Sequence, residues 1–318
     1  MRSRPMVLAL ALTCALAPLG GPLGGPLAAQ QRTAPRDVRR VERRLAVAPD
    51  VALRIFNLAG TTRVTGWERD SVVVTAALPR GAGELVAGGT RSAVKIGIDA
   101  PGAPLDAPGA ALEVRVPRGA LVWIKGAAGA VDVEDVTGAL DVYTVSGDVT
   151  VRGAPAQLGA ESMSGDLVVE ATAPSMRLKT AGGAITLTGG AESLTIATVS
   201  GPVRVRTGPL LRGEIQSVSG AVDVDGAVRA GGELALLTHA APITLTLPGS
   251  TRAELELRTF DGLLINRFSP EPARVSRGKP YRFAIGGGAP GPGADDRARI
   301  TVRTLKGDIA IYRGPGGS

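Results

Sequence analysis

The chain has 318 residues, 44% of them apolar, with a formal net charge of +7, one cysteine and one histidine. A single Cys14 and a single His239 exclude a disulfide framework and a histidine cluster for metal. Aromatic residues, at 3%, are too few for the girdles of a membrane β-barrel, and the 44 glycines and 23 prolines sit among apolar residues too regularly spaced for a disordered chain.

Residues 1–29 have the three parts of a secretory signal: Arg2 and Arg4, an apolar run over residues 6–17, and small residues and prolines ending in Leu27-Ala28-Ala29. A lipoprotein signal on Cys14 is disfavoured, because Ala11-Leu12-Thr13 before it is a poor match to a lipobox. Cleavage after Ala29 leaves a cysteine-free chain of charge +5 with no further stretch of about 18 apolar residues, so no transmembrane helix is expected in it. The expected location is therefore the periplasm, the cell surface or the medium. Arg32, Arg36, Arg39, Arg40, Arg43 and Arg44 crowd residues 30–46 against only Asp37 and Glu42. That stretch reads as a solvated basic linker in preference to an arm for anionic polymers. No basic helix with interleaved aromatics follows, so nucleic acid is not an expected partner.

From residue 51 onward the chain reads as strands, at 53–57, 62–65, 71–78 and 93–98, with loops rich in glycine, proline and alanine at 79–89 and 100–109. No helical period of useful length follows the signal. Then a repeat sets in. Thr144-Val145-Ser146-Gly147 returns as Ser162-Met163-Ser164-Gly165, Thr198-Val199-Ser200-Gly201 and Ser217-Val218-Ser219-Gly220. The glycines Gly129, Gly138, Gly147, Gly165, Gly183 and Gly201 are 9, 9, 18, 18 and 18 residues apart, and Gly220, Gly262 and Gly307 continue the series, with Ala241 in one glycine place.

After each such glycine the second and fourth residues are apolar, as in Val149 and Val151, Leu167 and Val169, Ile185 and Leu187, Val203 and Val205, Val222 and Val224, Ile243 and Leu245, and Ile309 and Ile311. Two nine-residue halves, each with a strand of about five residues and a turn, point to an all-β, parallel β-helix-like β-solenoid of about nine coils with 18–21-residue repeats. It is expected over residues 47–313, with irregular insertions at 79–110 and 269–297 and a tail at 314–318. The glycines are its corners, where a positive φ or close backbone approach excludes a side chain. Strands of half the required length argue against a membrane barrel, and an 18-residue spacing held over several units argues against a sandwich.

The Val-Ser-Gly repeat, the early Phe56-Asn57-Leu58-Ala59-Gly60 leading to Val64-Thr65-Gly66-Trp67, and the closing residues 304–311 together resemble a bacterial family of exported β-strand-repeat proteins known as putative adhesins. That family carries a domain of unknown function and is similar to the head domain of autotransporter adhesins. The resemblance, over about residues 47–313, implies a β-solenoid fold and a cell-envelope location.

Chemistry is sparse. No nucleophile–base arrangement, phosphate loop or dinucleotide fingerprint is present, so neither a cofactor nor a metal is expected. His239 falls in an expected exposed turn, and every Ser-Gly-Asp reads as turn chemistry. The one candidate surface patch is Asp223 and Asp225, two apart on a strand and so on one face, with Arg204 and Arg206 facing the same way one repeat earlier. The favoured reading is a ladder of exposed charges; the alternative is a carboxylate pair on a polysaccharide-active lyase or hydrolase. Glu161 and Lys179, 18 apart, are expected to pair, and Trp67, Trp123 and Tyr143 are residue types that stack on sugars. The sequence points to a non-enzymatic exported envelope protein, a structural or adhesin-like binding module for an envelope polymer or protein.

Overall fold

Alternating apolar and polar residues punctuated by glycine are what half-buried strands require, and the computed structural model, which describes residues 38–100, 109–269, 278–286 and 296–314, contains strands and no α-helix. The strands are β1 (Val38–Ala46), β2 (Ala52–Ala59), β3 (Thr62–Trp67), β4 (Ser71–Pro79), β5 (Glu84–Gly89), β6 (Ala93–Asp99), β7 (Ala111–Pro117) and β8 (Leu121–Ala128). There follow β9 (Val131–Glu134), β10 (Ala139–Thr144), β11 (Val149–Gly153), β12 (Gln157–Ser162), β13 (Leu167–Thr180), β14 (Ile185–Thr198), β15 (Val203–Ser217) and β16 (Val222–Thr238). The chain ends with β17 (Ile243–Pro248), β18 (Ala253–Asp261), β19 (Leu264–Arg267), β20 (Tyr281–Ile285), β21 (Ala298–Lys306) and β22 (Ile309–Gly314). The expected signal peptide and the first residues of the basic stretch lie outside the described residues.

The expected β-solenoid of about nine coils is not what forms. All 22 strands join one sheet that mixes parallel and antiparallel pairs and curls into a nearly closed, barrel-like shape. Two features overturn the expectation. The five-residue strands fuse where the repeat is most regular, so that β13 to β16 run for 14, 14, 15 and 17 residues. Antiparallel pairs also enter near both ends, β1 with β4, β4 with β7 and β5 with β6 at one, and β18 with β20 at the other. Alternation decides which side chains face inward, but it is silent on whether a neighbouring strand runs up or down.

Spacing does translate into register across the middle. Val149 pairs with Leu167, Leu167 with Ile185, Ile185 with Val203, Val203 with Val222 and Val222 with Ile243, all parallel. Register shifts between Gly189 and Ser193, and between Thr207 and Arg212, accompany the lengthening of the spacing beyond 18. The inward file is the core: Val149, Leu167, Ile185, Val203, Val222 and Ile243 are all buried, as are Leu140, Leu158, Met176 and Leu194 on the other series of pairs. Truncating one of these leucines to alanine removes packing on strands either side of it, a change that costs about 2 to 5 kcal/mol in such cores. The outward positions carry Arg, Glu, Asp and Thr, the reverse of a transmembrane barrel, whose outer band is apolar.

Two local expectations also change. Residues 38–46 of the stretch read as a linker form β1, a sheet-edge strand whose Arg39, Arg40, Arg43 and Arg44 are exposed; charge on an edge opposes pairing with other chains. Residues 84–89, read as loop, form β5 in spite of two glycines, because β6 supplies an antiparallel partner. Within the 269–297 insertion, Tyr281–Ile285 forms β20, antiparallel to β18.

Candidate functional site

The four candidate patch residues meet on one outward face. Parallel pairing of β15 with β16 sets Arg204 opposite Asp223 and Arg206 opposite Asp225, and β16 with β17 sets Asp225 opposite Thr246. All four charged side chains are exposed. They line a depression of about 250 Å³ together with Thr186, Thr188 and Thr246. None of the four makes an ion pair within 4.0 Å or a side-chain hydrogen bond among the described residues, so the expected ladder is laid out by the register without closing.

Elsewhere the ladders do close. Arg152 bridges Glu134 at 3.3 Å and Glu170 at 3.1 Å, and Lys179 Nζ lies 3.0 Å from Glu161 Oε1 across paired strands. Glu256 on β18 takes Arg282 of β20 at 2.9 Å and Arg303 of β21 at 2.8 Å. Hydrogen bonds from these two guanidiniums hold the Glu256 carboxyl below its ordinary range. Sequence spacing did not reveal that cluster, because β20 joins β18 antiparallel.

The repeated glycines are structural. A Cβ at Gly201 would overlap the carbonyl oxygen of Gly183, and the same holds for Gly183 over Gly165, Gly165 over Gly147 and Gly220 over Gly201. Close backbone approach, not left-handed geometry, is the reason at these places; Gly129, at φ 126°, is one that needs both. The residue three before Gly147, Gly165, Gly183, Gly201 and Gly220 is a buried Ser or Thr whose hydroxyl serves the turn: Thr144 Oγ1 donates to the Gly147 carbonyl, and Gly201 N–H donates to Thr198 Oγ1. Asp148 and Asp166 accept backbone N–H groups from Asp166 and Ala184, 18 residues on. Ser-Gly-Asp is thus spent on local hydrogen bonds. Beside these turns, Val145, Met163, Val199 and Val218 form an exposed apolar line.

The aromatic residues separate into two groups. Trp67 Nε1 donates to the Ser71 carbonyl, and Arg69 and Arg115 lie over its ring, so it fastens β3 to the start of β4. Trp123 and Tyr143 come together, with ring centroids 5.9 Å apart, and Phe56 adjoins Trp123 at 5.3 Å. His239 is exposed in the bend after β16. Among the described residues no three His, Cys, Asp or Glu side chains converge as a metal site, and no helix is long and apolar enough to cross a membrane.

Solved structures with similar geometry include a putative adhesin from Parabacteroides distasonis, 11% identical with a TM-score of 0.43, covering 87% of this chain and 98% of its own. A putative adhesin from Parabacteroides merdae is 10% identical with a TM-score of 0.43, covering 86% and 97%, and one from Bacteroides fragilis is 10% identical with a TM-score of 0.40, covering 86% and 97%. No curated protein matches the chain. The Toastrack DUF4097 family matches residues 112–312, from β7 into β22 and well over half of the sequence. The chain belongs to the Toastrack DUF4097 family.

Proposed function

We propose that this protein is a non-enzymatic, exported binding module of the cell envelope, adhesin-like in role, and that Arg204, Arg206, Asp223 and Asp225 engage an extended envelope polymer or protein. The observation that carries this reading is the open state of the patch. Four charges stand in register on one exposed face without neutralising one another, while the equivalent charges on earlier strands are closed into ion pairs. Charges around this hydroxyl-lined depression remain exposed and free to form charge-assisted bonds to a partner. The exposed line of Val145, Met163, Val199 and Val218 supports an interaction role as well, since contiguous apolar exposure marks contact surfaces. The signal-like residues 1–29 support the envelope location.

The test uses purified peptidoglycan and a panel of anionic glycans, with and without calcium, reading retention and reducing-end release in the same reactions. The parent is expected to be retained on at least one polymer in a salt-sensitive way without releasing fragments, and Asp223→Asn with Asp225→Asn to weaken retention. Fragment release that disappears in the double variant would establish the polysaccharide-active alternative instead. Equal retention of parent and variant would remove the patch from the binding surface.

A further inference from the structure

A second outward-facing site lies on β8, β10 and β12, apart from the charged patch. Parallel register places Trp123, Asp141 and Gly159 side by side on three neighbouring strands, with Arg177 of β13 next in the same row. We propose that Trp123, Asp141 and Tyr143 bind a neutral sugar ring of a glycan, the aromatic rings covering its C–H face and the Asp141 carboxylate accepting its hydroxyls.

The aromatic part is continuous. Trp123 stands edge-on to Phe56 with an interplanar angle of 63° and tilts by 45° against Tyr143, so three rings from three strands form one partly exposed apolar surface. Rings fixed by their neighbours lose little entropy on contact with a ligand. The polar part adjoins it. Asp141 is the register partner of Trp123, is partly buried, and makes no hydrogen bond or ion pair among the described residues, in contrast with Glu161 one strand on, which Lys179 satisfies. A carboxylate drawn partly out of water without a donor is an acceptor waiting for one.

Glycine makes the room. A Cβ at Gly159 would overlap Asp141 Oδ1, so the carboxylate leans over the bare backbone of the next strand, in the row that continues to Arg177. Burial raises the Asp141 carboxyl above its ordinary range, with Arg177 opposing that rise and Glu161 adding to it. Apolar rings beside a lone acceptor match the two sides of a pyranose: C–H groups on the face and hydroxyls at the edge. A carboxylated sugar would set its own charge against Asp141, which is why a neutral ring is the ligand class; Glu161 is already neutralised by Lys179.

The experiment is calorimetric titration of the full chain with cellohexaose, maltohexaose, chitohexaose and hexagalacturonate, with tryptophan emission read in parallel. At least one neutral oligosaccharide is expected to bind saturably below about 10 mM and to shift the emission. Asp141→Asn should weaken that binding by about tenfold, the loss of about 1.4 kcal/mol, with no fall in the thermal midpoint, and Trp123→Ala should abolish it. Asp141→Asn is close in size, so the test stands even if Trp123→Ala folds poorly. No saturable binding of any neutral probe, tighter binding of hexagalacturonate, or parent-like binding by Asp141→Asn would overturn the proposal. Because the charged patch lies on other strands, each of these outcomes leaves the reading of Arg204, Arg206, Asp223 and Asp225 untouched.

Discussion

One row of register partners crosses the outward face as Glu134, Arg152, Glu170, Thr188, Arg206, Asp225 and Thr246, and its two halves treat charge in opposite ways. In the first half, Arg152 stands between two glutamates and bonds both, at 3.3 and 3.1 Å. In the second, Arg206 stands between Thr188 and Asp225 and closes on neither. Register brings opposite charges to neighbouring strands in both halves, so register alone does not make an ion pair. Reach is the difference, because aspartate is one methylene shorter than glutamate; where an arginine does meet an aspartate on the neighbouring strand, at Arg63 and Asp132, the pair closes only to 3.9 Å. The short side chain leaves the guanidinium exposed to whatever meets the face.

The comparison is broken most severely by removing the register itself. Gly201→Val puts a Cβ into the carbonyl of Gly183, and with no room on the backbone side β15 must shift away from β14, beside Arg204 and Arg206. A loss of about 3 kcal/mol or more is expected in chemical denaturation, placing this change among the largest single-residue effects. A parent-like midpoint would mean that the close approach is not a constraint.

A smaller effect extends the contrast to a closed carboxylate. Glu256 between Arg282 and Arg303 mirrors Arg152 between two glutamates, and its lowered pKa ties it to pH. A carboxyl held below its unfolded value of 4.5 contributes stability at neutral pH and loses it as the pH falls through the folded pKa. Thermal scans should therefore show the parent losing its advantage over Glu256→Gln as the pH falls below that value. A difference between the two proteins that is constant with pH would show that the pair is not ionic.

The smallest change sharpens the comparison. Asp225→Glu adds the missing methylene opposite Arg206, which should close the ladder, raise stability by about 0.5 kcal/mol and weaken polymer retention in proportion. Retention unchanged by a stabilising Asp225→Glu would separate the open charges from binding.

Much of the core was legible because alternation with a glycine mark is a direct imprint of which side faces inward: Val149, Leu167, Ile185, Val203, Val222 and Ile243 are buried where the pattern puts them. The curling single sheet was not, because strand direction depends on contacts far apart in sequence. Nothing in Val38–Ala46 announces that it pairs antiparallel with β4, and the glycines of β5 hide a strand that only β6 holds in place. The charged patch was legible as a placement, since Arg204 and Asp223 follow the spacing, but its open state depends on side-chain reach. The sugar site left a signal that went unused: positions 123, 141, 159 and 177 are 18 apart, so Trp, Asp, Gly and Arg were bound to line up once the register was known.

The most direct measurement is a pair of double-mutant cycles on thermodynamic stability, one for Arg152 with Glu170 and one for Arg206 with Asp225, each residue replaced by alanine. The closed ladder should give a coupling of about 0.5 kcal/mol that shrinks in high salt, and the open patch a coupling indistinguishable from zero. Equal or larger coupling between Arg206 and Asp225 would contradict the account, because the charges assigned to a partner would then be spent on the fold.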